Sequence, residues 1–225
     1  WDPAAGELPY VTVNTPTLED ADDNYNCWYG LPTENEQITF GKIDPDNPKG
    51  ILWQLGGGND DVTGVGAKPN TFMYGSGKKI LQGGWADDTF VFQQSHEALK
   101  LEKPPSVIEV GRLHGGDGKD LLWLQGEVPR NYSSTEPPYK GFIVDLPKGK
   151  LSLRSSQSSE QDAVHSTIQS FEKIQTLKRG SNRVYGTDNA EEIGVNGNDY
   201  IKAGGGDDQI SVNSHSAIVD GGSGN

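Results

Sequence analysis

Four stretches of this chain repeat one arrangement of glycine, aspartate and a single apolar residue on a nine-residue beat. They are Gly83-Gly84-Trp85-Ala86-Asp87-Asp88-Thr89-Phe90, Gly115-Gly116-Asp117-Gly118-Lys119-Asp120-Leu121-Leu122, Gly197-Asn198-Asp199-Tyr200-Ile201 and Gly204-Gly205-Gly206-Asp207-Asp208-Gln209-Ile210. A unit this short cannot enclose a core, so it must stack on copies of itself. Adjacent glycines permit positive φ and let the backbone curl until its carbonyls point inward. The aspartate adds a hard anionic oxygen of the kind calcium prefers. What trails it allows a strand of about three residues, the apolar one inward and its neighbours outward.

The apolar position marks the phase. It falls at Val62, Phe72, Leu81 and Phe90 in a first array and at Ile193, Ile201 and Ile210 in a last one. The residue two before each, where a carboxylate is wanted, is Asp60, Asn70, Lys79 and Asp88, then Glu191, Asp199 and Asp208. A single repeat at 115–122 stands between, and its neighbour around Leu113 is degenerate. Two units make one coil, so turns 18 residues apart share an edge and hold a cation between them. Inward carbonyls would otherwise be unpaired acceptors, so ion and fold depend on each other.

This pairing makes the turns unequal. Asp208 faces the turn at 221–225 and is expected to be the strongest site. Asp88 faces the turn at Asn70, which contains Pro69. Asp60 faces Lys79, whose ammonium only donates and would take the place of a cation, so that turn is expected to hold metal poorly or not at all. The candidate metal ligands are Asp60, Gly84, Asp88, Gly116, Asp117, Asp120, Asn196, Asn198, Asp199, Gly204, Gly206, Asp208, Gly222 and Gly224.

Acidity alone leaves solvation or disorder and divalent-cation binding both open, and the recurrence of the aspartates in Gly-rich turns beside β-branched and aromatic residues favours metal. Only 32% of the chain is hydrophobic, with 30 Gly and 13 Pro, which is thin for a layered α/β core. The net charge of −13 sets the chain against a nucleic-acid partner. Cys27 is the only cysteine, so neither an internal disulfide nor a cysteine-based zinc site is available. No apolar run reaches the length of a membrane span, and no signal-peptide pattern opens the chain. Trp1 is no translation start, and Asn225 stops short of the aspartate its turn requires, so both ends read as cut from something longer.

Four segments follow from the phase. Residues 1–50 form a non-repetitive N-terminal cap or linker, with strands at 10–13 and 37–40. An acidic loop holding Glu19, Asp20, Asp22 and Asp23 lies between them. Such a cap would cover an otherwise exposed parallel edge. Residues 51–125 form a first roll with an insertion at 93–113, 126–182 hold inserted strands and a loop, and 183–225 form a second roll. Within 126–182, Phe142 to Leu151 reads as a strand pair around a Gly-containing turn, followed by a Ser-rich loop at 155–161.

The pattern G-G-x-G-x-D-x-U-x, with U apolar, resembles the calcium-binding nonapeptide of the RTX (haemolysin-type) family. The resemblance spans 55–92 and 111–225. It is most specific from 140 on, where Val144-Asp145-Leu146, Phe171-Glu172-Lys173-Ile174, Gly180-Ser181 and Gly186-Thr187-Asp188 look like the lead-in to a new roll. It implies an all-β parallel β-roll, or β-solenoid, with Ca2+ in the turns and folding triggered by calcium outside the cell. Inserted β-hairpin loops would interrupt the roll. Family members are typically secreted bacterial toxins, adhesins, proteases, lipases and polysaccharide-modifying enzymes. The chain departs from the pattern at Leu55, Lys79, Ala86, Glu191 and Ala203, which bears on how many sites fill. A positive φ at Ala86 or Ala203 would cost about 1 kcal/mol.

Catalytic constellations are missing from the sequence. Neither H-E-x-x-H nor G-x-S-x-G occurs, and the histidines at 96, 114, 165 and 215 are scattered, as surface or turn residues would be. Trp28, with Tyr25 and Tyr29, is the candidate exposed aromatic patch. Trp85 and Trp123 are expected to pack, and Trp53 is a further aromatic able to stack on a sugar. Two readings remain. The first is a calcium-binding segment of a large secreted toxin or adhesin, with a structural or target-binding role. Its insertions, above all 126–165, would recognise a host-cell surface protein or glycan. The second is a non-catalytic carrier module of an extracellular enzyme. In both, metal rather than a greasy interior is expected to hold the chain together.

Overall fold

The computed structural model describes residues 50–56, 58–75, 77–93, 111–125, 139–155, 163–214 and 216–224, with the strand backbones at Tyr10–Val13, Glu19–Asp20, Tyr25–Tyr29 and Asn35–Ile38. Among these residues every regular element is a strand. No helix there is long and apolar enough to cross a membrane.

The first four strands are β1 (Tyr10–Val13), β2 (Glu19–Asp20), β3 (Tyr25–Tyr29) and β4 (Asn35–Ile38). The first array supplies β5 (Gly50–Gly56), β6 (Asp60–Thr63), β7 (Asn70–Tyr74), β8 (Lys79–Gln82), β9 (Thr89–Gln93), β10 (Gly111–His114) and β11 (Leu121–Gln125). Then come β12 (Tyr139–Asp145), β13 (Lys150–Ser155), β14 (Ala163–Gln169) and β15 (Lys173–Gln175). The last array supplies β16 (Arg183–Tyr185), β17 (Glu192–Val195), β18 (Tyr200–Lys202), β19 (Gln209–Val212) and β20 (Ile218–Asp220).

These strands form an eleven-stranded sheet, in the order β1-β4-β6-β8-β10-β14-β13-β12-β16-β18-β20, and a nine-stranded sheet, β19-β17-β15-β11-β9-β7-β5-β3-β2. From β4 to β11, and again from β14 to β20, the chain crosses from one sheet to the other after every strand. Pairing is parallel throughout both runs. Such pairing needs a crossover for each strand, and here the crossover is a strand of the opposite sheet.

Register follows the apolar phase. In the nine-stranded sheet Trp53, Phe72, Phe90, Leu122, Ile174, Ile193 and Ile210 stand opposite one another in succession. In the other sheet Val62, Leu81, Leu113 and Ile168 align, as do Val144, Val184, Ile201 and Val219. The interior is richer than composition suggests, because nearly every inward position is apolar. Phe72 and Phe90 sit 4.8 Å apart, and Phe90 meets Phe171 edge-on at 5.0 Å. Phe92 likewise meets Phe142 at 5.5 Å. A continuous aromatic and aliphatic core thus runs between the sheets.

β12, β13 and β14 form an antiparallel meander, in keeping with the strand pair expected over Phe142 to Leu151. It lies within the eleven-stranded sheet, between β10 and β16, while β15 sits directly beside β11 in the other sheet. One sheet is therefore two strands wider at this point. Buried Phe171 and Leu177, in the connections flanking β15, fill the opening. The non-glycine residues there with positive φ are Ser170 (55°) and Arg179 (56°). Ala86 and Ala203 do not adopt positive φ, so the strain anticipated at those alanines is absent.

Candidate metal centre

Two edges join the sheets. Turns running from the eleven-stranded to the nine-stranded sheet line up along the first edge, and the return turns form the second.

On the first edge the residues preceding β7, β9, β11, β15, β17 and β19, or opening them, stack as Asn70, Asp88, Asp120, Glu172, Glu191 and Asp208. Asp88, Asp120, Glu172 and Asp208 each reach back to the preceding turn. Asp88 Oδ1 accepts the Asn70 main-chain N–H at 2.6 Å and its Nδ2 at 2.8 Å. Asp120 Oδ1 accepts the Asp88 N–H at 2.7 Å, and Glu172 Oε2 accepts the Asp120 N–H at 2.9 Å. Further along, Asp208 Oδ1 accepts the Glu191 N–H at 2.9 Å.

The second oxygen distinguishes these groups. Asp88 Oδ2 accepts the Gly84 N–H at 2.6 Å, and Glu191 is held by the hydroxyl and N–H of Thr187. Asp120 Oδ2 and Asp208 Oδ2 are buried with no hydrogen-bond partner among the described residues. Oxygens of successive turns converge beside Asp120. A methyl placed on Gly115 would meet Ser170 O at 2.0 Å and Asp120 Oδ2 at 2.3 Å, and one on Gly83 would meet Gly115 O at 2.0 Å and Asp88 Oδ2 at 2.4 Å. The turns stack this closely because glycine lets them. Gly116, at φ 115°, and Gly222, at φ 76°, would each drive a side chain into the carbonyl of the preceding turn.

Burial raises the proton affinity of these carboxylates. It pushes Asp120 from 3.8 up to about 7, against the Asp88 N–H bond that lowers it, with Asp88 and Glu172 adding repulsion. Burial likewise raises Asp88 and Glu191, partly offset by hydrogen bonds from Gly84 and Asn70 and from Thr187.

The second edge closes on itself. The Lys79 ammonium pairs with Asp60 and donates to Gly58 O at 2.7 Å, with both side chains fully buried. Asp199 Oδ1 accepts the Asn182 N–H at 2.9 Å and its Nδ2 at 2.7 Å. Its Oδ2 accepts the Thr176 hydroxyl at 2.6 Å and the Gly197 N–H at 3.1 Å. Asn196 Nδ2 bonds Thr176 O at 3.0 Å, and the Asn198 N–H bonds Gly180 O at 2.7 Å.

No family model matches the chain, nor does any curated protein or solved structure.

The candidate ligands thus divide into groups. Gly84, Asp88, Gly116, Asp117 and Asp120 come together on adjacent turns of the first edge, although the Asp117 side chain faces outward. Gly204, Gly206, Asp208, Gly222 and Gly224 gather on the last turns of that edge. Asp60 lies on the second edge, as do Asn196, Asn198 and Asp199, and protein donors already satisfy the carboxylates there. No group of three or more His, Cys, Asp or Glu side chains converges among the described residues. The donors at Asp120 are instead carboxylate and main-chain oxygens, the hard set that suits calcium.

Some participants escape the phase reading. Glu172 belongs to the stack, and its signal is plain in Phe171-Glu172-Lys173-Ile174, a carboxylate two residues before an inward apolar one. Asn182 stands two residues before inward Val184, the place Asn70 takes before Phe72, while Thr176 leaves no repeat signature. Of the tryptophans, Trp53 is fully buried and donates to Asn70 Oδ1 at 3.1 Å, so it is unable to stack on a sugar. Trp85 is 67% exposed, its ring lying over Gly66 of the neighbouring turn, and Trp123 is 39% exposed. Their turn and outward strand positions overturn the expectation of packing. The side chains of Tyr25, Trp28 and Tyr29 lie outside the described residues, as do His96 and His215. His114 pairs with Gln82 at 2.8 Å. His165 packs edge-on to Phe92, and burial, with Lys79 adding repulsion, lowers it to about 4.

Proposed function

We propose that this chain is a calcium-binding parallel β-roll, a segment of a large secreted bacterial toxin or adhesin that folds on calcium outside the cell. Its role is structural and target-binding rather than catalytic. The observation that carries the reading is Asp120 Oδ2, a buried oxygen without a partner, set among inward carbonyls and neighbouring carboxylates that repel one another. Asp120, with main-chain oxygens of the turns at 83–88 and 115–120, would hold one ion. Asp208, with the turn at 221–224, would hold another. A divalent cation there supplies positive charge that reverses the proton affinity of the stack and satisfies the carbonyls.

The linkage is physiological. Extracellular calcium modules bind with dissociation constants of roughly 10⁻⁴–10⁻³ M, so such sites stay unfilled in a cytosol and fill outside the cell. Filling stabilises only the folded form. Thermal melts followed by circular dichroism, with calcium and with a chelator, test the reading. A large calcium-dependent rise in melting temperature is expected, reduced in Asp120→Ala and in Asp208→Ala and lost in the double variant. Identical melts with and without calcium would refute it.

A further inference from the structure

Across β12, β16, β18 and β20 the outward side chains of the eleven-stranded sheet fall into two rows. One reads Ile143, Arg183, Tyr200 and Ile218, and the other Asp145, Tyr185, Lys202 and Asp220. Over them lie two clefts of about 810 and 440 Å³ that share Tyr185, within the size range of small-ligand sites. The Tyr185 and Tyr200 rings stand 6.4 Å apart, tilted 59° to each other. Tyr200 is 36% and Ile218 67% exposed. The Arg183 and Lys202 side chains make no hydrogen bond or ion pair among the described residues. Nearby, Arg154 is fixed in place by Ser181 O at 2.7 Å.

We propose that this face binds an internal stretch of a neutral, linear polysaccharide. Charge argues for a neutral occupant. Arg154, Arg183, Lys148 and Lys202 stand against Asp145, Asp188, Asp220 and the inward-turned Asp199, so the clefts attract neither a polyanion nor a polycation. Unpaired donors beside carboxylate acceptors suit hydroxyl groups, which both donate and accept. The exposed ring of Tyr200 and the half-buried ring of Tyr185 suit the C–H faces of sugar rings. Shape argues for a chain. Four neighbouring strands span roughly 14 Å at the usual strand spacing, longer than one sugar ring. Asp120 and Asp208 take no part, so the inference adds a partner to the calcium reading without using its two carboxylates, although Gly204 and Gly222 line the larger cleft and Asn198 and Asp199 the smaller.

The test titrates the full chain, in saturating calcium, with cellohexaose, xylohexaose and mannohexaose, and with hexagalacturonate as the charged counterpart. At least one neutral hexasaccharide should bind saturably. Tyr185→Ala and Tyr200→Ala should each weaken it about tenfold, while Tyr200→Phe should bind like the parent. Melting temperatures of these outward-facing variants should stay at the parent value, which separates lost binding from lost fold. Amide chemical-shift changes in the unmodified protein should centre on β16 and β18. Any one of the following results overturns the proposal: no binding of the three neutral sugars, binding indifferent to both tyrosines, shifts centred elsewhere, or a tighter hold on hexagalacturonate.

Discussion

Asp60 and Asp120 hold the same place in their units, two residues before an inward apolar side chain, and both are buried. Their surroundings differ completely. Asp60 meets the Lys79 ammonium, a cation built into the next coil. Asp120 meets one N–H, two neighbouring acids and carbonyls, and holds its proton up to about pH 7. Asp199 gives a third outcome on the second edge, where four donors from Thr176, Asn182 and Gly197 leave nothing for a metal to add. The repeat thus sets where a carboxylate sits, while the residue one coil away decides what satisfies it. Protein groups satisfy Asp60 and Asp199 on one edge, while on the other Asp120 Oδ2 and Asp208 Oδ2 have no partner among the described residues.

Replacing Lys79 attacks the sealed edge directly. Lys79→Met leaves Asp60 buried and uncompensated and should cost about 3–5 kcal/mol in urea unfolding. Lys79→Asn should lose clearly less, since Asn182 shows that an amide can serve a carboxylate in this position. Equal losses for Met and Asn would break the analogy between the two turns. The open edge should respond to metal instead. Each filled site adds about 2.7 kcal/mol when calcium stands at a hundred times its dissociation constant. Amide exchange should then slow across 83–93, 115–125 and 203–212 far more than across 58–63 and 79–82. Uniform slowing would dissolve the distinction between the edges. A smaller effect is expected at Asp199, where Thr176→Val removes the hydroxyl's bond to that carboxylate and the bond it accepts from the Asn196 N–H, and should cost roughly 2 kcal/mol at any calcium concentration. Calcium rescue of that variant would show that the second edge too can take an ion.

The phase of inward residues was legible because it rests on a local rule, one apolar residue per short strand. It placed Val62, Leu81, Phe72 and Phe90 in register and brought Asp88 to Asn70 and Asp60 to Lys79 before any coordinates. What satisfies Asp199 was not legible. Asn182, 17 residues upstream, holds the repeat position, but Thr176, 23 residues upstream, lies in a connection whose length breaks the beat. The pairing of Glu172 with Asp120 was not legible either, since the insertion separates them by 52 residues although the two are neighbours on the edge. The meander was readable as paired strands, but nothing local says that it widens only one sheet. The strength of the core was underestimated because composition averages over turns. The glycines and aspartates occupy the edges and leave the interior to phenylalanine, isoleucine and leucine.

The response to pH is the most diagnostic of the open edge. In metal-free protein the folded state holds the Asp120 proton more tightly than the unfolded chain, at about 7 against 3.8. Stability from this group is therefore fully present below pH 3.8 and is lost as pH rises through about 7. Asp88 and Glu191, also raised by burial, slope the same way, so the profile must be read as a difference. Asp120→Asn keeps an oxygen for the Asp88 N–H but cannot ionise, and its metal-free melting temperature should fall less between pH 4 and 8 than that of the parent. Calcium should invert the parent's trend, because metal and proton compete for one carboxylate and affinity for the ion rises as the proton leaves. If parent and Asp120→Asn gave superimposable metal-free profiles, the buried oxygen would not be the place where this edge stores its demand for a cation.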